Sequence, residues 1–394
     1  MLLPGVTDHK LDPKDFTLED SRPETPDDIE YMGLSTAGDI VGPGPRSWWW
    51  LRLMAANLRG LNYLGMGLHH RAVDCPPRAS FTRRIPSTLS ETKGEITLHF
   101  YTPERYERAK LTGLTYPALI NFHGGGFTIG SATDDAHFAE FVIYRCNAVV
   151  VSVDYRLSPE HPFPIPVDDA ADALLYIIRS AARLHIDPLR LATSGFSAGG
   201  NLAFTSLLRL TDHLTKLNTD PAPAVREHPV PAHKFVAVAS WYPVLNYTIP
   251  RAAKRAMCTR PSLTLPDWLT RFFDASYLAD PTTDLTNPYL SPVFATDEHL
   301  AAAIPQKVYL YTCEWDMLRI EGRELALRLE EEPLSREVEL TEIPETTHAW
   351  DKAARFWREK KLDLAEENYD KCAIALRKDF GVLARTQTVG GNVM

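Results

Sequence analysis

The segment Ser194-Gly195-Phe196-Ser197-Ala198-Gly199-Gly200 constrains this chain more than any other. It lies between a short apolar run, Leu191-Ala192-Thr193, and a helix-compatible run, Asn201-Leu202-Ala203-Phe204-Thr205-Ser206-Leu207-Leu208. Strand, sharp turn and helix follow one another, with a hydroxyl at the apex. A serine held there takes a strained backbone, and small neighbours, Gly195 and Gly199, keep the two limbs from colliding. The helix beyond it aims its N-terminal amides and dipole at an oxygen that becomes negative during acyl transfer.

Well upstream, the apolar run Leu119-Ile120-Asn121-Phe122 leads straight into His123-Gly124-Gly125-Gly126. Successive glycines let backbone amides converge on one point without interference from Cβ atoms, which is what an oxyanion hole requires. A glycine loop of this kind paired with a serine elbow is the arrangement of lipases and esterases.

The wider pattern alternates strands and helices. Strands are expected at 95–101, 118–122, 148–154, 190–193 and 235–241, with a helix over 167–184. Such alternation implies an α/β fold: a mostly parallel central sheet with helices on both faces and reactive loops at its C-terminal edge.

Two further segments sharpen the reading. Asp154-Tyr155-Arg156-Leu157-Ser158-Pro159-Glu160-His161-Pro162-Phe163-Pro164 and Asn287-Pro288-Tyr289-Leu290-Ser291-Pro292 stand in order around the elbow. With the glycine loop and the elbow, they resemble the hormone-sensitive-lipase-type branch of the α/β-hydrolase superfamily over residues 95 to 355. The resemblance implies a helical cap, built from the N-terminal region and a late insertion, over a serine hydrolase site. It divides the chain into an N-terminal extension with cap helices (1–90), a catalytic domain (91–385) with a second cap segment at 242–300, and a flexible tail (386–394).

A nucleophilic serine needs a base, and the base needs an orienting carboxylate, in the order Ser, Asp or Glu, His for this fold. Of the histidines after Ser197, His213, His228 and His233 lie in a Pro-rich polar stretch, 211–234, that reads as a surface insertion. His299 precedes any acid in the required order. His348 follows a strand-like run, 338–343, and a short loop, where the base belongs. The strand-like run 308–312 is followed by Cys313-Glu314-Trp315-Asp316, so Glu314 and Asp316 compete as the acid. The family pattern D-P-L-R-D-E-G overlays Asp316-Met317-Leu318-Arg319-Ile320-Glu321-Gly322 and favours Asp316. The implied site is Ser197, Asp316 and His348, with Gly125, Gly126 and Ala198 as oxyanion donors and Gly124 shaping their loop.

Besides the two changes in that overlay, Met317 and Ile320, the chain departs from the family pattern at Phe196, where relatives resemble G-D-S-A-G, and at Ala349-Trp350, where H-G-F is common. Trp350 reads equally as pocket wall or as core aromatic. The implied reaction is hydrolysis of carboxylic esters of small to medium acyl chains through an acyl-enzyme on Ser197. Thioesterase, acyltransferase and lactonase chemistry use the same machinery. A non-catalytic small-molecule receptor of the same fold is the remote alternative, and retention of His348 argues against it.

No metal or organic cofactor is called for; H-E-x-x-H, C-x-x-C and G-x-G-x-x-G are absent, and His69-His70, as neighbours on a helix, do not share a face. A net charge of -9 argues against nucleic acid as a partner, leaving a small-molecule ester or acyl-thioester. Five scattered cysteines form no disulfide framework, and no signal peptide or spanning helix is evident, so a cytoplasmic location is expected. The run 48–68 reads as a helix with Arg52 and Arg59 on one stripe and Trp50, Met54, Leu58, Leu61 and Leu64 opposite. That apolar stripe is expected to be buried. The helix reads as a cap over the site, a membrane-surface contact or a partner contact; the resemblance implies the cap.

Overall fold

The computed structural model describes residues 35–41, 47–72, 77–219, 230–352 and 359–383. The expectations for residues 1–34, for the 386–394 tail and for Cys75 and His228 lie outside the described residues, as do the side chains of His69 and His70. Among the described residues, no helix is long and apolar enough to cross a membrane.

Eight strands form one sheet: β1 (Phe81–Pro86), β2 (Glu95–Tyr101), β3 (Tyr116–Phe122), β4 (Val149–Asp154), β5 (Ile186–Phe196), β6 (Phe235–Trp241), β7 (Lys307–Cys313) and β8 (Glu337–Ile343). Their order is β1-β2-β4-β3-β5-β6-β7-β8. β2 runs antiparallel to both β1 and β4, and every other pairing is parallel. The expected α/β architecture is thus the one that forms.

Period-two alternation makes the sheet two-faced. Ile120 and Phe122 of β3, Val149, Val151 and Val153 of β4, and Leu191 of β5 enter one core. Leu119, Val150, Ala192 and Phe196 enter the other. The first core is closed by α3 (Ile165–Ser180), α4 (Ala198–Thr219) and α7 (Arg319–Glu330); the second by α2 (Ala136–Cys146) and α8 (Glu359–Asp379). The inner strands are apolar on both sides, as a doubly covered parallel sheet requires.

Three further helices bear on the site: α1 (Trp48–Ala72), α5 (Arg251–Ala256) and α6 (Asp267–Tyr277). α1 extends past the expected helix, and its buried stripe is the expected one only in part: Met54 and Leu58 are half-buried and pack against the contact with α6, whereas Leu61 and Leu64 face outward. Leu51, Ala55 and Met66 are buried, with Leu51 and Ala55 packed on Phe272 and Ala275 of α6. Leu61 and Leu64 are each 64% exposed and Trp50 is 44% exposed. The arginine side faces the protein instead. Arg59 Nε donates to Thr128 O at 2.9 Å, and its Nη2 donates to Ser158 O at 2.7 Å and to Glu160 Oε2 at 2.8 Å. Charge-assisted bonds to otherwise unpaired carbonyls outweigh the burial of two leucines.

Two of the elements without a counterpart in the sequence reading are β1 and α8. β1, Phe-Thr-Arg-Arg-Ile-Pro, has a single buried residue, Ile85, as suits an edge strand rich in charge. α8 buries Ala365, Tyr369, Cys372, Ala373 and Leu376, at helical spacing, against the second face. The start of the expected surface insertion at 211–234 is helical instead: α4 runs on to Thr219 with Leu214 against the core, and residues 220–229 lie outside the described residues.

Candidate active site

The glycine loop and the elbow, distant in sequence, meet because β3 and β5 are neighbours paired with Phe122 beside Gly195. Both loops therefore leave the same edge of the sheet. Ser197 sits at φ 55°, in the left-handed region, which costs about 1–3 kcal/mol for a residue with a Cβ. The crossing limbs hold it there. A Cβ on Gly195 would lie 2.1 Å from Gly199 O, and one on Gly199 would lie 1.9 Å from Phe122 O, so neither position admits a side chain. The Ser197 amide donates to Trp241 O at 2.8 Å, tying the turn to the end of β6.

His348, on the loop after β8, places Nε2 2.8 Å from Ser197 Oγ. Its Nδ1 lies 2.6 Å from Asp316 Oδ2, on the loop after β7. Asp316 Oδ1 accepts the Leu318 amide at 3.1 Å, which fixes the carboxylate plane. Both side chains are nearly solvent-free. Glu314, the competing acid, faces elsewhere: its Oε2 accepts the Glu345 amide at 2.8 Å and braces the histidine loop from outside.

Gly124, Gly125 and Gly126 line the cavity beside Ser197, together with Ala198 at the first position of α4. Gly125 takes φ 109°. Among the described residues, neither the Gly125 nor the Gly126 amide donates to a backbone carbonyl. The Asp154–Pro164 segment supports this loop from beneath. The Tyr155 hydroxyl donates to His123 O at 2.8 Å, and the Ser158 amide to Phe127 O at 2.8 Å. Arg156 is held by a two-pronged pair with Asp169 of α3.

The cavity over Ser197 measures about 210 Å³. Its walls are mainly apolar: Val244, Leu265, Leu269, Phe273 and Met317 on one side, Met66 of α1 on another. Polar groups enter it from Asn62, Asp134, Asp135, Arg251 and Lys352. Arg251 is neutralised by a bidentate pair with Asp274, and the buried Lys254 ammonium pairs with Glu321 below it. Trp350 is a core aromatic, 2% exposed, while Ala349 reaches the cavity wall.

The sequence reading named Ser197, His348, Asp316 and the glycine loop, and the structure brings these together. It gave no role at His348 to Tyr242, whose ring stands edge-on to the imidazole with centroids 4.9 Å apart. Nor did it name Asn62 and Met66, or Asp135 and Lys352. An aromatic just past a parallel strand end and charged residues flanking the base were the only signals for these.

A sequence profile described as an alpha/beta hydrolase fold matches residues 119–352. An arylesterase of Saccharolobus solfataricus is 31% identical over 238 residues, covering 60% of this chain and 67% of that protein. The arylacetamide deacetylase of Bos taurus is 27% identical over 360 residues, covering 76% and 87%. Among solved structures, the thermostable carboxylesterase EstE1, cloned from a metagenomic library, superposes with a TM-score of 0.65 at 27% identity, covering 83% of this chain and 97% of that one.

Proposed function

The chain belongs to the α/β-hydrolase fold family, on its hormone-sensitive-lipase-type branch, and from that premise we propose that it hydrolyses carboxylic esters of small to medium acyl chain through an acyl-enzyme on Ser197. The observation that carries this reading is the relay of Ser197 Oγ, His348 and Asp316, at 2.8 and 2.6 Å, opening into a largely apolar cavity.

His348 Nε2 takes the serine proton as Oγ attacks the acyl carbonyl, and Asp316 holds the proton on Nδ1 and stabilises the imidazolium that forms. The carbonyl oxygen becomes negative within reach of the Gly125, Gly126 and Ala198 amides, at the positive end of α4. Collapse expels the alcohol, which leaves with the proton from Nε2. Water then repeats the sequence on the acyl-enzyme and releases the acid. No step needs a group beyond these side chains and amides.

The acyl chain fits the cavity of about 210 Å³ walled by Leu265, Leu269 and Phe273. That supports small to medium chains. In this reading α1, with Met66 and Asn62, and the 242–300 segment, with α5 and α6, are the two parts of the cap.

Replacing Ser197 with alanine tests the assignment. The variant should keep its fold and lose ester turnover by a factor of about 10³ or more. A fluorophosphonate should label wild type at Ser197 and leave the variant unlabelled. A panel of p-nitrophenyl esters of rising chain length, run beside acyl-thioesters, fixes the substrate class. Near-wild-type turnover by folded Ser197→Ala overturns the reading.

A further inference from the structure

Phe196, one departure from the family pattern, meets Lys352, two residues beyond the other, Ala349-Trp350. The turn Trp350–Lys352 directs the Lys352 side chain back beneath the elbow. There the ammonium lies 3.9 Å from the Phe196 ring centroid, 2.7 Å from Asp135 Oδ1 and 3.3 Å from Asp351 Oδ2. Phe196 immediately precedes Ser197, and Asp135 immediately precedes α2.

Each partner is anchored in turn. Asp135 Oδ2 accepts Asn121 Nδ2 at 2.8 Å, and Asn121 Oδ1 accepts the Ser194 hydroxyl at 2.7 Å. Asp351 Oδ1 accepts the Tyr242 hydroxyl at 2.5 Å, and its Oδ2 accepts the Tyr369 hydroxyl from α8. Tyr242 is the ring that flanks His348. Strands β3 and β5, the elbow, α8 and the base loop are thereby joined through one cation.

The charges balance locally. Burial pushes the Lys352 ammonium down, but Asp135 and Asp351 more than offset this and hold it above the ordinary lysine range. An ammonium has three N–H donors. Two carboxylates and the Phe196 face surround this one, so its charge is matched within the protein although Lys352 reaches the cavity wall. Its position suits a tether rather than a binding group. A base must be held within about 0.5 Å of its productive place, and a displacement of ~1 Å costs on the order of 100-fold in rate.

We propose that Lys352 is a positioning residue that clamps the His348 loop to the elbow through Phe196 and to the head of α2 through Asp135, fixing the imidazole against Ser197 Oγ. The proposal rests on the reading of Ser197 and His348 as nucleophile and base.

Four variants of the full chain test it: Lys352→Met, Asp135→Asn, the double variant, and Lys352→Arg. With p-nitrophenyl butyrate, Lys352→Met should lose kcat by about 10- to 100-fold while KM stays within about twofold. The melting temperature should fall with it, because two buried carboxylates, Asp135 and Asp351, lose their cation. The double variant removes the Asp135 charge, so it should regain part of the melting temperature and not kcat. Wild-type kcat in folded Lys352→Met, or recovery of kcat along with stability in the double variant, overturns the proposal. If Lys352→Met does not fold, Lys352→Arg decides. It keeps the charge but not the compact ammonium, and should lose kcat about 3- to 10-fold at unchanged KM; wild-type kcat there also overturns the proposal. Failure of the esterase reading looks different: the wild type itself would neither turn over the ester nor take the fluorophosphonate at Ser197.

Discussion

Asp316→Asn separates chemistry from architecture at this site. The substitution is nearly isosteric, and the asparagine Oδ1 can still accept the Leu318 amide that Asp316 accepts at 3.1 Å. Its other arm becomes an NH₂ facing His348 Nδ1, where a carboxylate oxygen now sits at 2.6 Å. Nδ1 must then accept, which drives the ring proton to Nε2. That nitrogen faces Ser197 Oγ at 2.8 Å, so it turns from acceptor to donor and can no longer take the serine proton. In a serine–histidine–aspartate triad this wrong-tautomer effect is worth about 10⁴ in kcat, or ~5.4 kcal/mol of transition-state stabilisation at 1.36 kcal/mol per decade. The fold should survive, since the change removes a buried charge and keeps one hydrogen bond. Glu314→Gln is the matched control: its amide oxygen can still accept the Glu345 amide, and turnover should stay within about threefold. Steady-state hydrolysis of p-nitrophenyl butyrate and the rate of fluorophosphonate labelling read both variants, with circular dichroism to verify folding. A folded Asp316→Asn within tenfold of wild type, or a larger loss in Glu314→Gln, would refute the tautomer argument.

Other expectations follow from the same geometry. Gly199→Ala should give no folded protein in expression and gel-filtration assays, because its Cβ would sit 1.9 Å from Phe122 O, a backbone atom of a central strand that cannot withdraw. Phe273→Ala should shift preference in the p-nitrophenyl ester panel toward longer acyl chains, since it removes a large part of the cavity wall; each added methylene accommodated is worth on the order of 1 kcal/mol. Burial alone would raise the Asp351 carboxyl, but Lys352 and the Tyr242 and Tyr369 hydroxyls pull it below its ordinary value of 3.8. A depressed folded value means that its stabilisation is complete above the unfolded value and is lost as pH falls through the folded one. The stability gap between wild type and Asp351→Asn, measured by urea unfolding, should therefore narrow on acidification below about pH 4.

What was legible in the sequence tracks what short-range chemistry determines. Val149 to Val153 cannot be other than a buried strand once a turn and a helix flank them, and the elbow announces itself by its glycines. The order of strand-ending loops was enough to name Ser197 and His348, while resemblance had to choose between Asp316 and Glu314. Both acids sit two residues apart on one loop, and only the path of the chain after β7 turns one toward His348 and the other toward Glu345. Long-range register was not legible. Nothing local in Asn121, Asp135 or Lys352 says that the three converge; β3, the head of α2 and the turn after His348 come together only through the strand order. α8 was readable from its spacing of Tyr369, Cys372, Ala373 and Leu376 but carries so many charges that its buried stripe is narrow.

α1 exposes a different limit, because periodicity reveals that a helix has two faces without revealing which one the protein claims. Leu51, Ala55, Arg59, Asn62 and Met66 lie on one stripe at helical spacing, and this is the face turned inward. Leu51 and Ala55 pack on α6, Met66 lines the cavity, and the polar members bond groups of the facing loops. Arg59 alone serves Thr128 O, Ser158 O and Glu160, two of them within segments that support the glycine loop. Leu61 and Leu64, the more hydrophobic choice, face outward. The two orientations make opposite predictions. If the arginine face holds the helix, Arg59→Met should cost about 2–4 kcal/mol, because charged hydrogen bonds are worth ~1.5–3 kcal/mol each and unpaired carbonyls add to the loss. That corresponds to a factor of roughly 30 or more in the local opening equilibrium at 1.36 kcal/mol per decade. Limited proteolysis within α1 should accelerate accordingly. Leu61→Glu and Leu64→Glu should leave proteolysis and melting temperature nearly unchanged, as surface substitutions do. Rapid cleavage in the glutamate variants with a protected Arg59→Met would mean that the leucine face is the buried one and that the helix is turned by half a rotation from the arrangement described.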